Sequence, residues 1–279
     1  MFVTIINDCR DANAFGRQAT RAASLFGCTV NPLAVANDLE AAGNLVDALD
    51  ASEGRSGVIL VNVAPRHGAA KRWPNGTPFG WFRHGETVVV ASVDGRTLSL
   101  VKKLGIAGGI RVFDIPEVMA AAAAHRLLPA ETADYVVSTQ FRSFEFLPRV
   151  ARWLTQGYEL PASDLAIREI ADVPDAVWWV DNFGNCKTTI LPGDIDAFRD
   201  TDALSGLASL PHYDRLKDVP DGESAFVTGS SGLGGSRFIE VVIQGGNASQ
   251  RFGLRSGKTL IKPSERESTF AQSAVAVPA

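Results

Sequence analysis

The strongest constraint on the fold is an alternation of short β-branched runs with helical stretches along the chain up to about residue 160. Phe2 to Ile6 is such a run. It ends at Asn7-Asp8 and reads as a buried strand whose C-terminal end delivers an acidic side chain. Ala12 to Phe26 reads as a helix, about Ala36 to Ala51 as a second helix, and Val58 to Val63 and Thr87 to Ser92 as strands. Between those strands lies Ala64 to Glu86, rich in Gly, Pro and basic residues, which is expected to loop near strand ends where α/β proteins build their sites. Ala107 to Val112, a helix around Pro116 to Leu127, and Tyr135 to Ser138 continue the strand–helix alternation, and Phe146 to Gln156 forms an amphipathic helix ending at Gly157. The pattern predicts an α/β fold, with an N-terminal domain over residues 1–162 built on a central, mostly parallel sheet.

After Pro161 the pattern changes to short strand-like runs separated by turns: Ala176 to Val180, Lys187 to Leu191, Ser224 to Val227, Phe238 to Ile243 and Thr259 to Ile261. These predict a small β domain over residues 170–262. From Pro263 to Ala279, Ser, Glu, Gln, Ala and Pro follow one another without periodicity, and the segment reads as a mobile tail. A chain of 279 residues agrees with two domains at roughly 150 residues each.

Composition excludes several classes. The chain is 46% hydrophobic and 21% charged, with 27 Lys+Arg against 31 Asp+Glu, so it can bury a core and is not mainly disordered. Without a long basic run it is expected to bind neither nucleic acid nor an anionic membrane. Cys9, Cys28 and Cys186 have no CxxC spacing, which suggests neither a disulfide framework nor a zinc cluster and fits a reducing compartment. His84, His125 and His212 lack HxH or HxxxH spacing, so no metal is expected. No window approaches the roughly 18–20 apolar residues of a membrane span, and a cytoplasmic location is expected.

Two segments carry the chemistry. In Asp181-Asn182-Phe183-Gly184-Asn185, Gly184 and Asn185 tolerate positive φ. The segment reads either as a plain hairpin turn or as a turn from which Asp181 and Asn185 converge on a small polar ligand. Gly229-Ser230-Ser231-Gly232, followed by Phe238 to Ala248, reads either as a flexible loop before a strand or as backbone donors and hydroxyls that hold a carboxylate or an adenine edge.

Together, DNFGNCKTTI and GSSG…FIEVVIQGGNAS resemble the C-terminal signature of the S-adenosylmethionine hydroxide adenosyltransferase family, which includes fluorinases and chlorinases: DxFGNxxTN, then NSxGxLEIAxNxGNA. The N-terminal half follows more loosely. TIINDCRD resembles a strand ending TDFG, VILVNVAPRHG a strand running into VVDPGVG, VVVASVDGRTLS the motif VAPDNGLLT, and STQFRSFEFLPRVARWL the motif STFHGRDIFAPVAARL. The resemblance spans about residues 3 to 255 in order. It implies an N-terminal α/β domain, a small C-terminal β-barrel, and a homotrimer whose ligand sits between one subunit's N-domain and its neighbour's C-domain. That ligand is S-adenosylmethionine, as substrate or bound ligand, or an adenosyl product, with no further cofactor. On this resemblance Asp8 grips both ribose hydroxyls, Asn185 and the backbone near Ala248 read adenine, Asp181 meets the methionine ammonium and Ser230 its carboxylate. Phe183, Ser231 and Asn247 belong to the same ligand-binding set.

The family displaces methionine from the ribose C5′ carbon with water or a halide. Its hydrolases activate water with an Asp, an Arg and a His, which align with Ala64, with Lys71 or Arg72, and with Phe141; a second acid that also holds the methionine ammonium aligns with Asn13. Two of the three activating groups are thus replaced. Positioned acid–base groups contribute about 10²- to 10⁴-fold to a rate, so the chain reads either as a hydrolase with an altered water-activating set or as a non-catalytic binder of S-adenosylmethionine or adenosine. Under the first reading His67 on the same loop takes over as base, and Lys71 is the other catalytic candidate; otherwise His67 is a solvated loop side chain. Halogenation is the weakest reading, because no halide-pocket segment is recognisable.

Overall fold

The computed structural model describes residues 1–64, 77–204 and 206–261. Two compact units divide them: Met1–Val173 with Ser231–Ser236, and Pro174–Ser230 with the residues from Arg237 onward.

The first unit contains β1 (Phe2–Asn7), α1 (Ala12–Phe26), β2 (Val30–Ala34), α2 (Asp38–Ser52), β3 (Gly57–Asn62), β4 (Phe79–His84) and β5 (Thr87–Ser92). It continues through α3 (Ser99–Lys103), β6 (Gly109–Val112), α4 (Ile115–Ala124), α5 (Ala130–Ser138), α6 (Arg142–Glu145), α7 (Leu147–Thr155) and β7 (Ser163–Ala166). Its seven strands form one sheet in the order β2-β1-β3-β5-β4-β6-β7. Pairings among β2, β1, β3 and β5 are parallel, whereas β4 and β7 run antiparallel to their neighbours. Every residue of β3 and β5 is buried, because both faces of the sheet are covered. Successive side chains of a strand point to opposite faces. Val3, Ile5, Val58, Leu60, Val88 and Val90 therefore pack on one side with Phe26, Val136, Phe146 and Val150 from the helices. Ile6, Ile59, Val61, Val89 and Ala91 pack on the other with Leu45, Leu49 and Val101.

Local chemistry marks the helix ends. Asp11 caps α1 by accepting from Ala14 N at 2.8 Å, and Gly27 at φ +66° closes it. Asn37 caps α2 by accepting from Glu40 N, and Asp114 caps α4 with Pro116 in the first turn.

Within the first unit the sequence pattern errs in four places. Tyr135 to Ser138 is not a strand but the end of α5, which follows Pro129 and buries Ala133 and Val136 three residues apart on one face. β4 lies inside the stretch expected to loop; it still alternates, Phe79 and Trp81 packing on one side of the sheet and Phe82 on the other. β2 has four of five residues exposed and carries Pro32, so it lacks the apolar signature and is tolerated only at the edge. β7, beyond the expected boundary at residue 162, pairs with β6 and belongs to the first unit.

The second unit is built on a separate five-stranded sheet. Its elements are β8 (Val177–Val180), β9 (Cys186–Thr188), α8 (Ile195–Arg199), β10 (His212–Tyr213), β11 (Ser224–Leu233), β12 (Ser236–Ile243) and α9 (Ala248–Phe252), with strand order β10-β11-β12-β9-β8. Its core gathers Val177, Ile190, Phe198, Phe226, Ile239, Val241 and Leu260, with Phe198 and Phe226 edge to face at 5.9 Å. Gly229 to Gly232 is not a loop but part of β11. Thr259 and Ile261 make only isolated bridges, to Ala176 and Ala203.

Candidate functional site

In the first unit the chain runs from β1 through α1 to β2 on one side, and through α2 to β3 on the other side of β1. The order therefore reverses between β1 and β3, and in open α/β sheets the crevice outside the carboxyl ends at such a point is where ligands bind. Asp8 follows β1 at that point. It is 8% exposed; its N–H donates to Asn62 O at 3.1 Å, and its Oδ2 accepts from Ala64 N at 3.0 Å. Val63 N donates to Ser92 Oγ at 3.0 Å, so the chain leaving β3 is tied on both sides.

A buried amide network supports Asp8. Asn7 and Asn62 are register partners at the ends of β1 and β3, and Asn62 Nδ2 donates to Asn7 Oδ1 at 2.9 Å. Asn7 Oδ1 also accepts from Cys9 N at 3.1 Å, while Asn7 Nδ2 donates to Gln18 Oε1 at 2.8 Å. Gln18 Nε2 in turn donates to Ser143 Oγ at 2.9 Å. Sequence reasoning missed all four residues. One signal was present: both apolar runs, FVTIIN and GVILVN, end in the same amide.

Asn13 is not part of this network. It is exposed in the first turn of α1 and lines a cleft of about 620 Å³ with Gly16, Arg17, Thr20, Arg21 and Phe144. Phe141 is 49% exposed. His67 and Lys71 lie outside the described residues.

In the second unit the two motif segments meet. Asp181 Oδ1 accepts from Phe183 N and Asn185 N, each at 2.9 Å, and Asp181 Oδ2 accepts from Asn185 Nδ2 at 2.9 Å. A carboxylate has about four acceptor positions, so Oδ2 retains capacity toward a cation. Gly184, at φ +87°, lies so close to Asn247 that a side chain would overlap the Asn247 amide. Its carbonyl accepts from Ser249 N at 2.9 Å, and Asn247 caps α9 by accepting from Gln250 N. Asp181, Phe183, Asn185, Asn247 and Ala248 thus form one cluster, from which the Phe183 ring is 69% exposed.

The two serines lie elsewhere. Ser230 is exposed on β11, its carbonyl accepting from Arg237 Nη1, and Ser231, which groups with the first unit, donates to Asp47 Oδ2 at 2.8 Å. Cys186 is buried beside the turn; burial, with the Asp181 and Glu240 charges, pushes its thiol up to about 12, so it is no nucleophile at neutral pH. Among the described residues no His, Cys, Asp and Glu side chains group to hold a metal ion, and no helix is long and apolar enough to cross a membrane.

Residues 175–261 match the family described as the SAM hydroxide adenosyltransferase C-terminal domain. The match covers most of the C-terminal unit. The adenosyltransferase match takes in the whole Asp181 to Ala248 cluster. Two solved structures share the fold over nearly the whole chain. An uncharacterized conserved protein from Thermotoga maritima has TM-score 0.62 and 18% identity, covering 92% of this chain and 98% of its own. A conserved hypothetical protein from Thermus thermophilus has TM-score 0.50 and 20% identity, covering 92% and 97%. No curated protein matches the chain significantly.

Proposed function

We propose that the protein binds S-adenosylmethionine through its adenosyl part and hydrolyses it to adenosine and L-methionine. The observation that carries this reading is the meeting of the Asp181–Asn185 turn with Asn247–Ala248 inside an adenosyltransferase domain. Asn185 spends one amide hydrogen on Asp181 and keeps its carbonyl and second hydrogen for the adenine edge. Asp181 Oδ2 takes the methionine ammonium. Asp8, at the carboxyl ends of β1 and β3, accepts from the two ribose hydroxyls, a task suited to a carboxylate. Ser230 is the partner for the methionine carboxylate. The protein works as a homotrimer, as the resemblance implies.

In the reaction, water oxygen bonds to C5′ as the C5′–S bond breaks, the bonding pair passes to sulfur, and methionine leaves as a neutral thioether. The surplus proton of the attacking water goes to His67. The sulfonium is already a good leaving group, so the protein mainly aligns water and strips its solvent. A second reading, a non-catalytic adenosyl-ligand binder, is favoured by Ala64 and Phe141 standing where the hydrolases carry Asp and His.

The test is to incubate the protein with S-adenosylmethionine, follow adenosine and methionine by chromatography, and run calorimetry alongside with Asp8→Ala as control. Both products should form in proportion to protein and vanish in the control. Asp8-dependent binding without turnover would establish the binder instead, and an absence of binding would sink both readings.

A further inference from the structure

The amide chain beneath Asp8 is more elaborate than strand packing requires. Asn7 is fully buried, Gln18 is 3% exposed and Asn62 8%, yet these polar side chains sit where apolar ones would cost less to bury. Each amide is matched donor to acceptor, from Asn62 through Asn7 and Gln18 to Ser143. The chain spans four segments: the end of β3, the end of β1 with the Asp8 turn, α1 through Gln18, and α6, which Phe141 precedes. Asn7 also holds the backbone on the far side of Asp8, accepting from Cys9 N, so the residues before and after Asp8 are pinned by one side chain.

We propose that Gln18 and Ser143, acting through Asn7 and Asn62, are positioning residues that set the direction of the Asp8 carboxylate, so that the α6 segment and the ribose-binding acid move as one unit. The inference rests on the reading of Asp8 as the nucleoside-binding acid. It predicts that cutting the chain at Gln18, which bonds to Asn7 and Ser143, weakens nucleoside binding, because a displaced carboxylate loses the alignment that two simultaneous hydroxyl contacts need.

Gln18→Met keeps length and loses both hydrogen bonds. Gln18→Glu keeps both, since a carboxylate accepts from Asn7 Nδ2 and from the Ser143 hydroxyl. Ser143→Ala, at a half-buried position, is the second cut should Gln18→Met fail to fold. Adenosine affinity by calorimetry, the thermal midpoint, and amide hydrogen exchange at Cys9 and Ala64 without nucleoside are measured for each. Gln18→Met and Ser143→Ala are expected to weaken adenosine binding about tenfold and to speed exchange at both amides, with Gln18→Glu restoring affinity to within about threefold. Unchanged exchange in the cut variants, or unchanged affinity while the wild type binds in an Asp8-dependent way, overturns the positioning role alone. A loss of thermal midpoint with no change in affinity also overturns it, since packing then accounts for the chain. If wild-type adenosine binding is absent or indifferent to Asp8→Ala, the reading of Asp8 itself fails, and the exchange measurement still reports whether the network holds the turn.

Discussion

Gly184 carries two constraints at once. Its φ of +87° is costly for any side chain, and the space a methyl needs is filled by the Asn247 amide. Gly184→Ala is expected to destabilise the C-terminal unit by about 2–4 kcal/mol, read from urea denaturation followed by tryptophan fluorescence. Adding Asn247→Ala should recover the overlap part and leave the backbone part, giving a non-additive cycle. Cys186 yields a second prediction at this scale. With its folded pKa raised from 9.0 to about 12, the thiol contributes stability fully below pH 9 and loses that contribution as pH rises toward 12. Iodoacetamide at pH 8 should therefore label Cys9 and Cys28 in the native protein, while Cys186 reacts only after denaturation; mass spectrometry of the digested protein decides. The Asp181 turn was legible in sequence because Asn and Gly have narrow conformational uses. Its docking on Asn247 was not, because more than sixty residues separate the two segments.

Among elements, α1, α6 and α7 are joined by one carboxylate. Glu145 is buried in α6 and accepts from Arg21 of α1 at 2.6 Å and from Arg149 of α7. Burial alone would raise its pKa, but the hydrogen bonds and charges of the two arginines outweigh this and hold it below the ordinary carboxylate range. Because the folded value is depressed, the contribution is present above the ordinary carboxyl pKa and is lost as pH falls through the folded value. Glu145→Gln should cost about 1–3 kcal/mol at pH 7, less than a fully buried pair because both arginines keep some solvent. The gap to wild type in urea midpoints should narrow as pH falls below the ordinary carboxyl range, and a gap constant with pH would rule out the ionic origin. The helices and central strands of this unit were readable because caps and unbroken apolar runs are local signals. β2, β4 and β7 were not: an edge strand such as β2 needs no apolar face, and partners far along the chain make such segments into strands.

For the whole molecule, the proposed function places the working site in a homotrimer, so sedimentation at micromolar concentration should give three chains per particle. A monomer that binds adenosine with full affinity would remove the intersubunit part of the proposal. The sequence by itself determined the fold class, most of the buried strands and helices of the first unit, a change to β structure beyond Pro161, and the segments that carry the adenosyltransferase signature. All of these are written in periodicity, capping residues and short motifs, which act over a few residues. Only the tertiary structure decided that β4 lies within the sheet, that Ser231 turns to Asp47, and that Asn7, Asn62, Gln18 and Ser143 form one chain beneath Asp8. Those outcomes depend on which distant backbones become neighbours, and a buried hydrogen bond has no signature in sequence until its partner arrives.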